Sequence, residues 1–355
     1  MQDAMLPGTE LEVLDVLGGS QRSVVRRVRV GSGTLILKEY RQPGDGWVRE
    51  SAALSVMPRG APAPRLVAER ATPSAVAMSD AGPGGSVADA LLGDDPVRAS
   101  AAVVAWATAI GTMHRVTTGL REPFRQALTA RNGYRPVAES AVVTRLDTVA
   151  RNMARHCAEL GIDVPPDAFA QLRALAVRLD GAGAAALTPA DACPDNNVFT
   201  GDGLVLIDFE GAEWRHVAWD VAYLTVPWPS CWCSWRIPRS VAEQATHAYR
   251  AAAALPYVDS PAFDADVAAA AAGWAFVSAS WFLPQALHDN ASLAAAGPTR
   301  RALILHRMRQ AAGSAELPAL AALAGRMHKA LTGRWGEVPL DCAPAFAERA
   351  EGCGA

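Results

Sequence analysis

The sequence predicts an α+β chain of two lobes: a small antiparallel β-sheet lobe carrying one main helix, followed by a larger, mostly α-helical lobe. Three observations predict it. Between Glu10 and Ser79 the chain runs in short, β-type apolar stretches broken by a single helix-like segment. The segment Ala81-Gly82-Pro83-Gly84-Gly85 then interrupts all periodicity. Beyond it, apolar residues recur at helical spacing for most of the remaining length. With 355 residues, half of them hydrophobic, the chain has the material for two sizeable cores.

The elements follow in order. The β-type runs are LEVLDVL, RSVVRRVRV, TLILKEY after the Gly31-Ser32-Gly33 turn, PRLVAER and SAVAMS, with the helix-like stretch from Trp47 to Val56 after the third. This divides the chain into a first lobe over residues 1–80 and a second over 81–355, with a hinge near 79–86. Helices are predicted over Ser100 to Val116, Val137 to Leu160 and Asp167 to Leu179, and again from about Val241 onward. The apolar stretch from Val267 to Leu287 approaches the length of a membrane span. It is rich in Ala, includes Ser278, Ser280, Pro284 and Gln285 and has no basic flanks, so it reads as a buried helix. The first residues, MQDAMLPGTELEV, have neither a basic start nor an apolar core, which points to the cytoplasm. A net charge of -3 suggests no nucleic-acid-binding surface and no basic membrane face, so neither partner is expected. Six cysteines without a repeating spacing are expected to be free thiols. Cys231-Trp232-Cys233 has no second Cys/His pair at zinc-finger spacing, so zinc is not expected.

The chemistry is concentrated between Pro189 and Ala212. Asp191 and Asn196 stand five positions apart in a loop, and two short apolar runs joined by Gly201-Asp202-Gly203 read as a tight hairpin ending at Asp208. A hairpin that returns Asp208 toward Asn196 gathers oxygen ligands suited to Mg²⁺, with Asp191 nearby as a proton acceptor. Far upstream, Lys38 is one of only two lysines among 33 basic residues, the other being Lys329. A chain that supplies nearly all positive charge as Arg keeps Lys where a compact ammonium is needed.

D-x-x-x-x-N, a hairpin, I-D-F-x-x-A and a further Asp twelve residues on, Asp220 in WDVAYL, resemble the aminoglycoside phosphotransferase family, whose fold is protein-kinase-like. The resemblance spans roughly Leu11 to Leu224. It implies that Asp191 is the catalytic base, that Asn196 and Asp208 hold the metal ions bridging the nucleotide phosphates, and that Asp220 braces the catalytic loop. It also implies that Lys38 contacts the α- and β-phosphates, held by Glu50 on the following helix. Glu39 points to the opposite face of the strand and is the poorer partner. The turn containing Gly18, Gly19, Ser20 and Ser23 stands where a phosphate-covering loop belongs. Met78 and Asp80, at the connection to the second lobe, stand where backbone bonds to a purine are expected. Arg22, Arg26, Arg27 and Arg29 read as solvated strand residues. One departure concerns loop support: the family usually carries His-Gly before the catalytic Asp, and this chain carries Pro189-Ala190.

On the acceptor side, five of the ten tryptophans (Trp214, Trp219, Trp228, Trp232 and Trp235) fall in one segment. This density, with Trp281, reads either as a wall for a ring-shaped ligand or as core packing. Glu210, Glu213 and Asp289 are candidate acids for a cationic acceptor, although acids and bases are nearly balanced from Phe209 onward. His114, His216 and His288 read as structural. The function implied is transfer of the γ-phosphate of ATP or GTP, with Mg²⁺, to a hydroxyl of a small molecule such as an aminoglycoside-like antibiotic or another hydroxylated natural product. Its role would be resistance, self-protection or biosynthesis. A pseudokinase-like nucleotide-binding module without turnover is the alternative.

Overall fold

The structure, a computed structural model, describes residues 11–19, 22–41, 44–179 and 183–347. A five-stranded antiparallel sheet forms from β1 (Glu12–Gly19), β2 (Ser23–Val30), β3 (Gly33–Tyr40), β4 (Leu66–Ala71) and β5 (Ser74–Ser79), in the order β1-β2-β3-β5-β4. The helix α1 (Asp45–Val56) follows β3 and buries Trp47, Val48, Ala52 and Leu54 against the sheet. Its Trp47 Nε1 donates to the carbonyl of Ala75 on β5 at 3.1 Å, which ties helix to sheet with a directional contact.

Helices then dominate. They are α2 (Val87–Leu91), α3 (Pro96–Thr117), α4 (Arg121–Arg131), α5 (Val142–Glu159) and α6 (Ala168–Arg178). Two small two-stranded sheets follow, β6 (Ala185–Thr188) with β9 (Glu213–His216), and β7 (Asn197–Thr200) with β8 (Gly203–Leu206). The chain closes with α7 (Ala218–Val221), α8 (Arg239–Ala253), α9 (Pro261–Ala286), α10 (Arg300–Ala312) and α11 (Pro318–Trp335). The hairpin β7–β8 pairs Asn197 with Leu206 through Gly203, whose φ of +129° only glycine adopts readily.

Helix starts obey local chemistry. Asp95 caps α3 by accepting from the amides of Val97 and Arg98, with Pro96 in the first turn, so α3 begins earlier than apolar spacing alone indicates. Ser86 and Asp89 form a reciprocal capping box at α2. The long helix expected from Val137 begins only at Val142, and α4 carries too little apolar residue to be visible by periodicity. The apolar α9 is long and apolar enough to cross a membrane, but 72% of its most apolar window is buried inside the fold. Trp274 on it packs edge-on against Trp219 and Tyr223, and Phe276 and Val277 are buried as well. Cys157, Cys193, Cys231 and Cys233 are free thiols, whereas Cys342 is disulfide-bonded, which corrects the expectation of free thiols throughout. Cys353 and the leading ten residues lie outside the described residues.

The glycine-rich connection after β5 is not a loose tether. A Cβ on Gly84 would stand 1.8 Å from the carbonyl oxygen of Phe199 on β7, and the Phe199 amide donates to Gly85 at 2.9 Å. Only a residue without a side chain allows this approach between connection and hairpin. Gly84→Ala is expected to destabilise the protein by about 1–3 kcal/mol through overpacking. A thermal melt of the variant within a degree of the parent would contradict this.

Candidate active site

Lys38 lies on the central strand β3, between Val25 of β2 and Val76 of β5. Strand alternation puts Lys38 and Tyr40 on the face toward α1 and sends Glu39 to the other face, where it pairs with Arg26. The Lys38 side chain is 6% exposed, and its Nζ stands 2.9 Å from Glu50 Oε2, 2.6 Å from Asp208 Oδ1 and 3.1 Å from Glu210 Oε2. Burial alone would lower its pKa, but the carboxylates of Glu50, Asp208 and Glu210 outweigh it and hold the ammonium above its usual value. Glu50 also accepts from the Tyr40 hydroxyl and, at 3.1 Å, from the amide of Phe209. Arg49, next to it on α1, donates to the carbonyls of Ala212 and Ala138 at 2.9 and 3.0 Å. The helix α1 thereby binds both the lysine and the turn that carries Asp208. That turn places Asp208 itself at φ 63°, the left-handed region that Asp tolerates better than most residues.

The loop after β6 carries Asp191. Ala190 is also left-handed, at φ 64°, and three neighbours hold it there. Its amide donates to Thr188 Oγ1 at 3.1 Å, and its carbonyl accepts from Arg215 Nη2 at 3.1 Å and from the Tyr223 hydroxyl at 3.4 Å. Arg215 is in turn paired with Asp220, and Asp220 stands 3.0 Å from His114 Nε2, all three buried. Burial would raise Asp220, but Arg215 and His114 dominate and keep it below the usual carboxylate range. The buried side chain of Asn197 completes the frame, donating to the carbonyls of Cys193 and Pro194 at 3.1 and 2.8 Å and accepting from the amide of Val87 at 2.9 Å.

Asp191 Oδ1 accepts from Ser230 Oγ at 2.7 Å and from the Cys193 thiol at 3.0 Å, and Asn196 Nδ2 donates to the Asp191 carbonyl at 2.8 Å. Burial raises the Asp191 carboxyl above its usual range, the two hydrogen bonds act against it, and Asp208 and Asp195 add to the rise. Ser230, itself 2.9 Å from the Tyr223 hydroxyl, had no sequence signal: it comes from a loop 39 positions away. Beside it, burial pushes the Cys231 thiol up, but the S–H groups of Cys193 and Cys233 bring it down to about 7.

A cleft of about 270 Å³ runs between the sheet and the β7–β8 hairpin, with Gly18, Ser23, Lys38, Met78, Asn196 and Asp208 in its walls. Glu50 and Asp80 also line it. Gly19 ends β1, and Ser20 lies outside the described residues. Arg27 is not a solvated strand residue: it donates to Asp80 at 2.6 Å and to the carbonyl of Gly82 at 3.0 Å, so the Asp80 carboxylate is committed to the connection. Arg22 is also engaged, 2.9 Å from Glu210.

The acceptor-side expectations divide. Glu210 belongs to the lysine cluster rather than to a distant wall. Glu213 is buried against Arg145 at 2.5 Å and Ser140 at 3.0 Å, an internal ion pair. Trp228 is fully buried, edge-on to Trp106 at 6.0 Å, and is core. Trp232 is half-buried and donates to Asp195 Oδ2 at 2.7 Å. Trp235 is half-buried as well, and Trp281 is exposed on α9. Asp289 is exposed and accepts from the amide of Ala291, a local turn contact. His114 and His216 are buried, the latter lowered to about 4 by burial, and His288 is exposed.

The described cleft, with a buried lysine facing a hairpin aspartate, defines a kinase-type phosphotransferase fold. A family model described as "Phosphotransferase enzyme family" (APH) matches residues 13–256. The chain belongs to this family of small-molecule kinases. A solved structure of a putative aminoglycoside phosphotransferase from Ralstonia eutropha is similar, with TM-score 0.52, 13% identity, and 94% of this chain and 96% of that one covered. An ethanolamine kinase from Plasmodium vivax is similar too, with TM-score 0.50, 12% identity, and 90% and 85% covered. No curated protein matches the chain in sequence.

A non-glycine residue in the left-handed region costs roughly 1–2 kcal/mol. Ala190→Gly is therefore expected to raise the thermal midpoint, stabilising the chain by about 1 kcal/mol. A lower midpoint would mean that the Ala190 side chain makes a contact worth more than its strain.

Proposed function

We propose that this chain moves the γ-phosphate of ATP or GTP to a hydroxyl of a small molecule. The observation that carries the reading is the convergence of Lys38, Glu50 and Asp208 at the cleft, with Asn196 beside Asp208 through the Ile207 amide and bonded to the carbonyl of Asp191 on one braced loop. We take residues 1–80 as the nucleotide-binding lobe and 81–355 as the catalytic lobe, hinged near 79–86, where Arg27 fixes Asp80 and Gly82.

Asp208 and Asn196 would hold Mg²⁺. Both line the cleft, both offer oxygen, and the Asp208 side chain is 36% exposed despite its bond to Lys38, so the donor set suits a hard cation. When bound, Mg²⁺ supplies positive charge that neutralises phosphate oxygens. Lys38 presents its ammonium to the phosphates from a position that Glu50 holds. Asp191 accepts the proton of the attacking hydroxyl, and burial makes its carboxylate a better base than a solvated one. Ser230 and Cys193 aim Oδ1 and leave the acceptor to approach beside the loop that carries Trp232 and Trp235. Aminoglycoside-like antibiotics and other hydroxylated natural products are the acceptors this reading takes first, and the ethanolamine kinase likeness adds amino alcohols to the panel worth testing.

Asp191→Asn is expected to lower kcat roughly 10²–10⁴-fold with nucleotide affinity kept, measured with Mg-ATP and Mg-GTP against hydroxylated antibiotics and amino alcohols. Transfer at the parent rate in both Asp191→Asn and Asp208→Ala would sink the assignment. The pH profile gives a second check. The Ser230 hydrogen bond favours the Asp191 anion, so Ser230→Ala raises the carboxyl pKa further. Because the base acts as the anion, the acidic limb of kcat/KM moves to higher pH; a limb that stays put or moves lower would remove Ser230 from this role.

A further inference from the structure

Of one cluster of side chains, the mechanism uses only the Cys193 thiol, which donates to Asp191. Cys193, Asp195 and Cys231 come from two separate loops, yet their ligand atoms all lie within 4.8 Å of one another. Cys233 Sγ stands 2.9 Å from Cys231 Sγ, so a third thiol borders the same point. A tetrahedral zinc site with Zn–S bonds near 2.3 Å separates its sulfurs by about 3.7 Å, so the present spacing needs only small rotamer adjustments to close around an ion.

The surroundings are those of a ligand set rather than of inert core thiols. Trp232 Nε1 donates to Asp195 Oδ2 at 2.7 Å, which fixes that carboxylate with Oδ1 3.4 Å from Cys231 Sγ. Such an outer partner orients a metal-binding carboxylate. The Cys233 amide points at Cys231 Sγ at 3.4 Å, and Ser234 Oγ pins the loop by donating to the carbonyls of Trp228 and Cys231 at 2.5 and 2.6 Å. Arg307 supplies an independent observation. It is 2% exposed, its Nη1 donates to the carbonyl of Pro229 at 3.3 Å, and among the described residues it has no carboxylate partner and no hydrogen bond for Nη2. Three thiolates and one carboxylate around a divalent ion make a net dianion, which gives this buried cation its counter-charge.

We propose that Cys193, Asp195, Cys231 and Cys233 bind one Zn²⁺ ion that clips the catalytic loop to the loop of residues 230–233. The site borders Asp191, whose Oδ1 accepts from the Cys193 thiol at 3.0 Å, and its ligand set does not include the oxygens of Asp191, Asn196 or Asp208. It departs from zinc-finger spacing because Cys193 comes from a distant segment. Binding would release the thiol protons to solvent, and with the proton of Cys193 gone its hydrogen bond to Asp191 Oδ1 would be lost, so Ser230 would remain as the side-chain donor there.

The test uses the full chain kept reduced. Metal analysis after dialysis against Zn²⁺, and titration against a chromophoric chelator, are expected to give one tightly held zinc. That ion is lost in Cys193→Ser and in Cys231→Ser, and kept in Cys157→Ser and in Asp191→Asn. Trp232→Phe weakens it roughly 10-fold, as loss of an outer partner does. Excess Mg²⁺ does not displace it. Co²⁺ in the unmodified protein gives thiolate charge-transfer absorption with tetrahedral visible bands, a readout that stands even where a serine variant fails to fold. No retained zinc, zinc retained in both serine variants, or bound cobalt without the thiolate band would each overturn the proposal. None of these outcomes depends on phosphoryl transfer.

Discussion

Lys38 has three carboxylates within 3.1 Å and a side chain that is almost wholly buried, and those carboxylates come from α1, the Asp208 turn and the residue two places beyond it. A buried charge of this kind is tolerable only when its partners are held in place; removing one partner from a buried pair commonly costs about 3–5 kcal/mol. The surrounding contacts serve that requirement. Tyr40 and the Phe209 amide fix Glu50, and Arg49 ties α1 to Ala212. The ammonium is thus the point where the sheet, α1 and the turn of Asp208 must agree.

The other half of the site is held by a different device. The usual His-Gly lead-in is replaced by Pro189-Ala190, and the backbone still takes the left-handed turn at Ala190. Arg215 and Tyr223 bond its carbonyl, while Asp220 and His114 secure Arg215. The loop is supported by a buried polar chain reaching across β9, α7 and α3. The network is not fully satisfied: Arg215 Nη2 makes its hydrogen bonds, whereas Nε and Nη1 are buried without a partner among the described residues, a desolvation cost that the pairing with Asp220 must offset. Strain at Ala190 and at Asp208 is accepted where side chains must be aimed.

Much of this was legible in the sequence, for reasons that the residues make plain. The five strands and α1 follow from local alternation and turns, and the D-x-x-x-x-N loop, the hairpin and Asp208 follow from spacing within one short segment. Lys38 stood out because lysine is otherwise almost absent. What escaped depends on contacts between distant segments. Ser230 reaches Asp191 from another loop, Arg27 reaches Asp80 across the sheet, and Glu210 turns toward Lys38 because the turn after Asp208 folds under α1. Trp228 shows the limit of composition: an aromatic-rich stretch supplies both core and surface, and only packing separates Trp228 from Trp232. Cys193 and Cys231 gave no motif because their sulfurs meet through the fold.

The central claim is that the cleft binds the phosphates of a nucleotide through Lys38 and, with Mg²⁺, through Asp208 and Asn196. Calorimetric titration of a non-hydrolysable ATP or GTP analogue, with and without Mg²⁺, into the parent, Lys38→Ala and Asp208→Ala addresses it most directly. The account predicts tight binding in the parent, weaker binding in Lys38→Ala with or without the metal, and loss of the Mg²⁺-dependent part of the affinity in Asp208→Ala. Equal, metal-independent affinities in all three proteins would contradict it.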